Sequence, residues 1–262
     1  MILPLLALLA APSQASLVLS ADSVAPGQTF TAAIRIKMDA GWHVYWKNPG
    51  DSGSAPTVKW KLPAGWRIGQ LRWPVPTRHV TPDGTDYIYE DEVLLLADIT
   101  APSVGSRPSL PDQSEVAVPV APQATMKADV SYLVCQEACM PASASVSAVI
   151  RVGSEKPSKD ADRIAEVARS IPARIIDGWK AKATPTGVML TRTDGDVIEK
   201  GTLFLPSETG ILEHADAGTL SSDGKTLTLK RSPYASANPK RLRGLILLPN
   251  NVGKDIDIPV SP

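Results

Sequence analysis

The chain of 262 residues carries 27 basic and 27 acidic side chains, a formal balance that excludes an electrostatic nucleic-acid binder. That length is enough for one or two domains with a substantial core. Twenty-four prolines, eighteen glycines and only two phenylalanines, spread among short apolar runs, point to an all-β chain of turns and edges.

Residues 1–15 read as an export signal. An apolar run over residues 2–11, interrupted by Pro4, precedes Ser13-Gln14-Ala15, a small-x-small cleavage site before Ser16. The run has no basic residue ahead of it and is too short to span a bilayer, so a buried first strand is the competing reading. No other stretch approaches the roughly 18 apolar residues of a membrane span. The mature chain is therefore expected to be soluble and periplasmic, in an oxidising compartment where a cysteine pair can cycle.

From residue 29 the pattern is that of strands. Phe30, Ala32, Ile34, Ile36 and Met38 share one face, and Thr31, Arg35 and Lys37 the other. Gly41-Trp42-His43-Val44-Tyr45-Trp46 is an aromatic strand closed by the turn Asn48-Pro49-Gly50-Asp51. Val58, Trp60 and Leu62 alternate with lysines, and residues 66–73 form a further strand. Trp73-Pro74-Val75-Pro76 opens an irregular loop running to Gly84. Strands at residues 93–99, 115–118, 125–134 and 146–152 complete an immunoglobulin-like β-sandwich over residues 16–152. Residues 153–174 are a linker and one helix at 159–170, where Ala161, Ile164, Ala165 and Ala168 recur at helical spacing before Pro172. Residues 175–262 resume the alternation as a second, smaller β-sandwich-like domain, with hairpin signals at Asp194-Gly195 and Asp223-Gly224.

The two cysteines, Cys135 and Cys139, fall in this scheme in the loop between the strands at 125–134 and 146–152. Pairing them requires the chain to curl, because four extended residues span about 13 Å while disulfide Cα atoms lie roughly 4.4–6.8 Å apart. So short a loop removes only about 2 kcal/mol of unfolded-chain entropy, which makes it a poor staple and a well-placed reversible switch. Three other readings stand beside exchange. A static disulfide or buried thiols would serve a structural module. Cys135, Cys139 and Met140 near His43 offer soft donors for copper(I), as in a copper-tolerance protein. Five of six tryptophans lie between Trp42 and Trp73, as in a carbohydrate-binding sandwich, although Trp42, Trp46 and Trp60 share faces with apolar residues and suit a core. Glu137 lies between the cysteines, and no lysine or arginine falls between Asp129 and Ala148, so no strongly depressed thiol pKa is expected. The basic residues Lys230, Arg231, Lys240, Arg241 and Arg243 read as a solvated face.

The combination of Gly41-Trp42-His43-Val44-Tyr45-Trp46, Asn48-Pro49-Gly50-Asp51-Ser52-Gly53, Trp73-Pro74 with Pro76, Tyr87-Ile88-Tyr89-Glu90 and Tyr132-Leu133-Val134-Cys135 with Cys139-Met140-Pro141 resembles the N-terminal periplasmic domain of the DsbD/ScsB-type thiol:disulfide interchange proteins. The second β domain is similar to the extension of the ScsB-like branch. The resemblance implies a redox-active Cys135–Cys139 disulfide with no organic cofactor and no metal, Cys139 as nucleophile and Cys135 as the resolving thiol. His79, Val80, Thr81, Pro82, Asp83 and Gly84 match its cap loop, with Trp42, His43, Tyr45, Tyr89 and Glu137 as supporting residues. It implies a thioredoxin-like protein or domain as electron donor, periplasmic disulfide proteins as acceptors, and a membrane hub; the hub is expected on a separate chain, with a fragment of a longer protein or a stand-alone relative as the alternatives. The sequence departs from the better-known members in its shorter gap between the cysteines and in lacking an aromatic residue in the cap.

Overall fold

The structure, a computed structural model, describes residues 11–103, 121–175 and 177–262; residues 1–10 of the expected export signal and the strand expected at 115–118 lie outside them. The first unit holds β1 (Ser13–Leu19), β2 (Ala21–Val24), β3 (Thr29–Met38), β4 (His43–Gly50), β5 (Thr57–Lys61), β6 (Arg67–Ile68), β7 (Thr77–Thr81), β8 (Gly84–Glu90), β9 (Glu92–Thr100), β10 (Gln123–Cys135), β11 (Cys139–Val152), β12 (Lys156–Pro157) and the helix α1 (Ala161–Ser170). The second holds β13 (Ala173–Ile175), β14 (Trp179–Thr184), β15 (Gly187–Arg192), β16 (Leu203–Pro206), β17 (Thr219–Leu220), β18 (Thr226–Lys230), β19 (Arg241–Leu247) and β20 (Gly253–Ser261). The molecule is nearly all β, with an immunoglobulin-like sandwich leading.

One layer of the sandwich has strand order β1-β3-β9-β6 and the other β12-β2-β11-β10-β4-β8-β7, with β5 beside β10. Between them lie Phe30, Ala32, Ile34, Ile36 and Met38, the apolar face that the alternation in β3 marks, packed with Trp46, Tyr87, Met126 and Val130. Trp42, Trp60, Trp66 and Trp73 pack against the same core. Ser13, Gln14 and Ala15, read from the sequence as a cleavage site, open β1 and pair with Met38, Lys37 and Ile36. The helix covers the outer face of the first layer, where Ile164, Val167, Ala168 and Ile171 pack on Ala33, Leu94 and Leu96.

Four sequence expectations change. The strand expected to begin near residue 146 begins at Cys139, and its pairing runs unbroken from Gln123↔Arg151 to Cys135↔Cys139. Its first residues, Pro141 and alternating alanine and serine, have a loop composition, yet small side chains sit easily in a ladder. The loop expected up to Gly84 is instead the β7–β8 hairpin, registered from Thr77↔Ile88 to Thr81↔Gly84. Of the strand expected over residues 66–73 only Arg67–Ile68 and an isolated bridge from Arg72 to Leu96 form. Asp194-Gly195 makes no hairpin between its flanking runs, because β15 pairs with β14 and β18 while β16 pairs with β19. Asp223-Gly224 does connect the paired strands β17 and β18.

The second unit is one sheet of order β16-β19-β20-β14-β15-β18-β17. Its strands β16 and β19 bury apolar residues on both faces. Phe204, Leu242 and Ile246 enter the second unit's own core, whereas Leu205, Leu245 and Leu247 enter the core of the first. Polar contacts fix this junction. Asn48, fully buried in β4, donates through Nδ2 to the carbonyls of Pro206 at 2.8 Å and Glu208 at 3.2 Å. Arg78 of β7 donates to the carbonyls of His214 and Ala215, and His214 Nδ1 lies 3.1 Å from the Tyr87 hydroxyl. Among the described residues no helix is long and apolar enough to cross a membrane.

Candidate redox site

The long β10–β11 hairpin ends in the tripeptide Gln136-Glu137-Ala138, and directly below it Cys135 and Cys139 face each other with Cα atoms 4.1 Å apart, joined as a disulfide. The curl that pairing demands is thus a tight hairpin tip. The partners differ in exposure. Cys135 is 2 % exposed and packs with Tyr45, Ile88 and Leu133, while Cys139 is exposed. The pair is therefore asymmetric, with Cys135 shielded inside the sheet and Cys139 toward solvent.

Strand β4 lies beside β10, with His43 paired to Cys135. Two residues on, Tyr45 points to the same side and donates from its hydroxyl to Cys135 Sγ at 3.2 Å, with Cys139 Sγ at 3.5 Å. Tyr45 is itself buried. Burial raises its phenol pKa above the ordinary 10.0, with a side-chain hydrogen bond from Ser52 opposing. The phenol is therefore a neutral donor at physiological pH, directed at the buried sulfur of the pair. Gly53 lies against the Tyr45 ring so closely that a Cβ there would stand 2.1 Å from Tyr45 Cζ, and its φ of +78° is one that residues with a side chain rarely adopt. Asp51 and Ser52 bind this turn to β8: Asp51 Oδ2 accepts from the Thr85 N–H, and Asp86 accepts from the Ser52 N–H and hydroxyl.

The cap residues His79 to Gly84 form the tip of the β7–β8 hairpin. Into the site, the described ring contact from this tip is His79 on His43, with centroids 6.2 Å apart; His43 in turn meets the Tyr45 ring edge-on at 5.4 Å. Burial first and the neighbouring His79 second lower the His43 pKa below 6.5, against the pull of Asp86 and Glu90. His43 is therefore mainly neutral near pH 7. Val80 in this tip is 59 % exposed, and Cys139 is exposed as well.

Tyr89 does not join the cysteines. It turns into the sandwich core and donates to the Pro74 carbonyl at 2.8 Å, and Ile88 is the β8 residue that packs with Cys135. Trp42 packs against the core and Glu137 is exposed at the hairpin tip. Ile88 and Gly53 stood in the sequence only as members of the resemblance motifs, and neither was singled out for the site. Met140 is 40 % exposed, and among the described residues no group of three or more His, Cys, Asp or Glu is arranged to hold a metal.

The profile of the family described as "Thiol:disulfide interchange protein DsbD, N-terminal" matches residues 9–150. The chain belongs to that family. A DsbD N-terminal domain with Cys135 and Cys139 joined at the hairpin tip is a thiol–disulfide interchange domain. Its fold is that of the N-terminal periplasmic domain of ScsB from Proteus mirabilis, with a TM-score of 0.63 at 14 % identity over 95 % of this chain and 92 % of that one. Since the match spans both β units, the second unit is part of the shared fold. The periplasmic chaperone SfaE (TM-score 0.23, 9 % identity, 94 % and 100 % coverage) and the collagen adhesin CNA from S. aureus (0.20, 10 %, 95 % and 92 %) are similar only remotely. No curated protein sequence matches the chain.

Proposed function

We propose that this DsbD-family domain relays electron pairs in the periplasm, accepting them from a thioredoxin-like partner and passing them to oxidised proteins through Cys139 and Cys135. Cys139 forms the mixed disulfide and Cys135 resolves it. The observation that carries this reading is the asymmetry of the pair: an exposed Cys139 beside a buried Cys135 that has a phenol donor 3.2 Å away. Thiol–disulfide exchange requires a thiolate to attack one sulfur while the other leaves, and it runs faster when the leaving thiolate is stabilised. Tyr45 offers that stabilisation to Cys135. The chemistry resides in the two sulfurs and needs no organic cofactor. The periplasmic setting of the ScsB relative and the apolar start of the chain support the location.

The test is trapping. Cys135→Ser leaves the exposed sulfur without a resolver and should accumulate a covalent adduct with a reactive thioredoxin-fold disulfide protein, seen as a reducible mass shift. Cys139→Ser should accumulate little. Equal trapping by both variants, or by neither, would refute the assignment.

A further inference from the structure

A thiol that attacks has first to lose its proton, and the resolving thiol is badly placed to lose it to water. Cys135 is 2 % exposed, and burial in apolar surroundings raises a thiol pKa. Tyr45, Ile88 and Leu133, which pack on it, offer no base. The group that can take the proton stands on the neighbouring strand. His43 of β4 is the ladder partner of Cys135 of β10. It lies on the same face of the sheet, because Tyr45, two residues on, reaches Cys135 Sγ with its hydroxyl. Same-face residues directly opposite one another have Cβ atoms about 4.5–5.5 Å apart. An imidazole nitrogen there reaches the sulfur directly or across one water. In the oxidised pair neither sulfur carries a proton, and the ring rests on Tyr45 and His79.

The other bases are less suited. Of the three histidines, His79 stands a step farther away on the cap hairpin, and His214 lies at the junction with the second unit. Asp86 accepts twice from Ser52, and Glu90, opposite His43 on β8, is exposed, as is Glu137 at the hairpin tip. His43 itself is held in the neutral form that a base requires. Asp86 and Glu90 of β8 pull it toward imidazolium, while burial and His79 of β7 pull more strongly the other way. His79 reaches it only because the hairpin curls. On β8 the partners of His79 and His43 are Asp86 and Glu90, about 13 Å apart along an extended strand. The two rings are nevertheless 6.2 Å apart, so the cap bends over the face that carries His43.

We propose that His43 is the base of the resolution step, taking the proton of Cys135 as that thiol attacks the mixed disulfide on Cys139. The reduced pair first engages an acceptor's disulfide through Cys139, which has lost its proton to solvent. A Cys139–acceptor bond forms, and the acceptor's first sulfur leaves with the electron pair and takes a proton. The Cys135 S–H then passes its proton to His43 and its electron pair to Cys139 Sγ. The Cys135–Cys139 bond forms and the bond to the acceptor breaks. The acceptor's second sulfur leaves with the electron pair and takes the proton from the imidazolium. The pair is oxidised, and the acceptor is reduced by two electrons and two protons.

This inference rests on the exchange reading above, and the experiment separates them. The reduced full chain is mixed with dithionitrobenzoate, whose coloured thiol leaves twice, first as Cys139 attacks and then as Cys135 resolves. In His43→Gln the second release should slow by about tenfold or more at pH 7, with the first unchanged. The wild-type second release should be nearly level between pH 7 and pH 8 and fall in acid as His43 is protonated. In the variant it should climb about tenfold per pH unit, following the thiolate alone. Slowing of the same size at every pH, or of both releases alike, marks a structural role and overturns the proposal. Heavy water supplies an arm that does not depend on the variant folding. A proton in flight makes the wild-type second release slower there, and a rate equal to or above that in light water overturns the proposal. An unaltered second release in His43→Gln overturns the role of His43 and leaves the relay intact. Absence of any second release from the wild type overturns both.

Discussion

The chemistry of the site concentrates in Tyr45. A hydrogen bond to a charged group contributes about 1.5–3 kcal/mol, so Tyr45→Phe, which keeps the ring and removes the donor to Cys135 Sγ, should slow opening of the disulfide by roughly tenfold or more. Stopped-flow reduction by dithiothreitol measures this, and an unchanged rate would remove the phenol from the mechanism. Gly53→Ala tests the same ring from above. A Cβ 2.1 Å from Tyr45 Cζ and a φ of +78° cannot both be accommodated in place, so the variant should lose about 1–3 kcal/mol in urea unfolding and react like Tyr45→Phe. Tyr45 was visible in the sequence as part of a motif, but its task was not. The expectation of no strongly depressed thiol pKa was read from sequence neighbours alone, and the hydrogen-bond donor to Cys135 lies 90 positions away along the chain.

At the scale of elements, what positions the site is the attachment of β4 and β7 to the second unit. Asn48 is buried with its amide donating to the carbonyls of Pro206, at the end of β16, and Glu208, just past it, and Arg78, adjacent to the cap, donates to two more. Asn48→Ala strands buried acceptors and should destabilise the protein by about 1–3 kcal/mol in chemical denaturation. An effect under a few tenths would mean that water replaces the amide. Strands whose side chains alternate between core and solvent, such as β3, were legible because burial on one face writes a period of two into the sequence. The first half of β11 was not, since alanine, serine and proline leave no such trace. Asp194-Gly195 misled for a different reason: a local turn signal does not decide which strands finally pair, and the two faces of β16 and β19 committed them to other neighbours.

For the molecule as a whole, the shared core makes the two units one folding entity. Leu205, Leu245 and Leu247 stand in the core of the first unit, so urea should unfold the chain in a single transition by fluorescence and by circular dichroism, and two separated transitions would contradict the junction described here. Acid should weaken it through His214, whose buried ring is held below its ordinary pKa of 6.5, by burial first, with Arg78 adding to the effect and Asp51, Glu213 and Asp86 opposing it. The sign follows from proton binding. The unfolded chain takes up the proton near pH 6.5 and the folded chain only at lower pH, so stability falls as pH drops from about 7 through the folded value. Relative to wild type, His214→Gln should lose less stability between pH 7 and pH 5. The fold class, the helix and the cysteine pair were all legible in the sequence. The junction was not, because Asn48 and His214 are polar residues that only the folded chain shows to be buried.

The smallness of the covalent ring has a kinetic corollary. The bond closes a loop between residues four apart and on the chain-entropy estimate restricts the unfolded chain by only about 2 kcal/mol, while the ladder continues from Val134↔Met140 downward without it. Oxidised and reduced molecules consequently offer nearly the same face to a visitor. A spent molecule should therefore compete with a charged one for every encounter, making product inhibition an inherent brake on flux whenever one redox form accumulates.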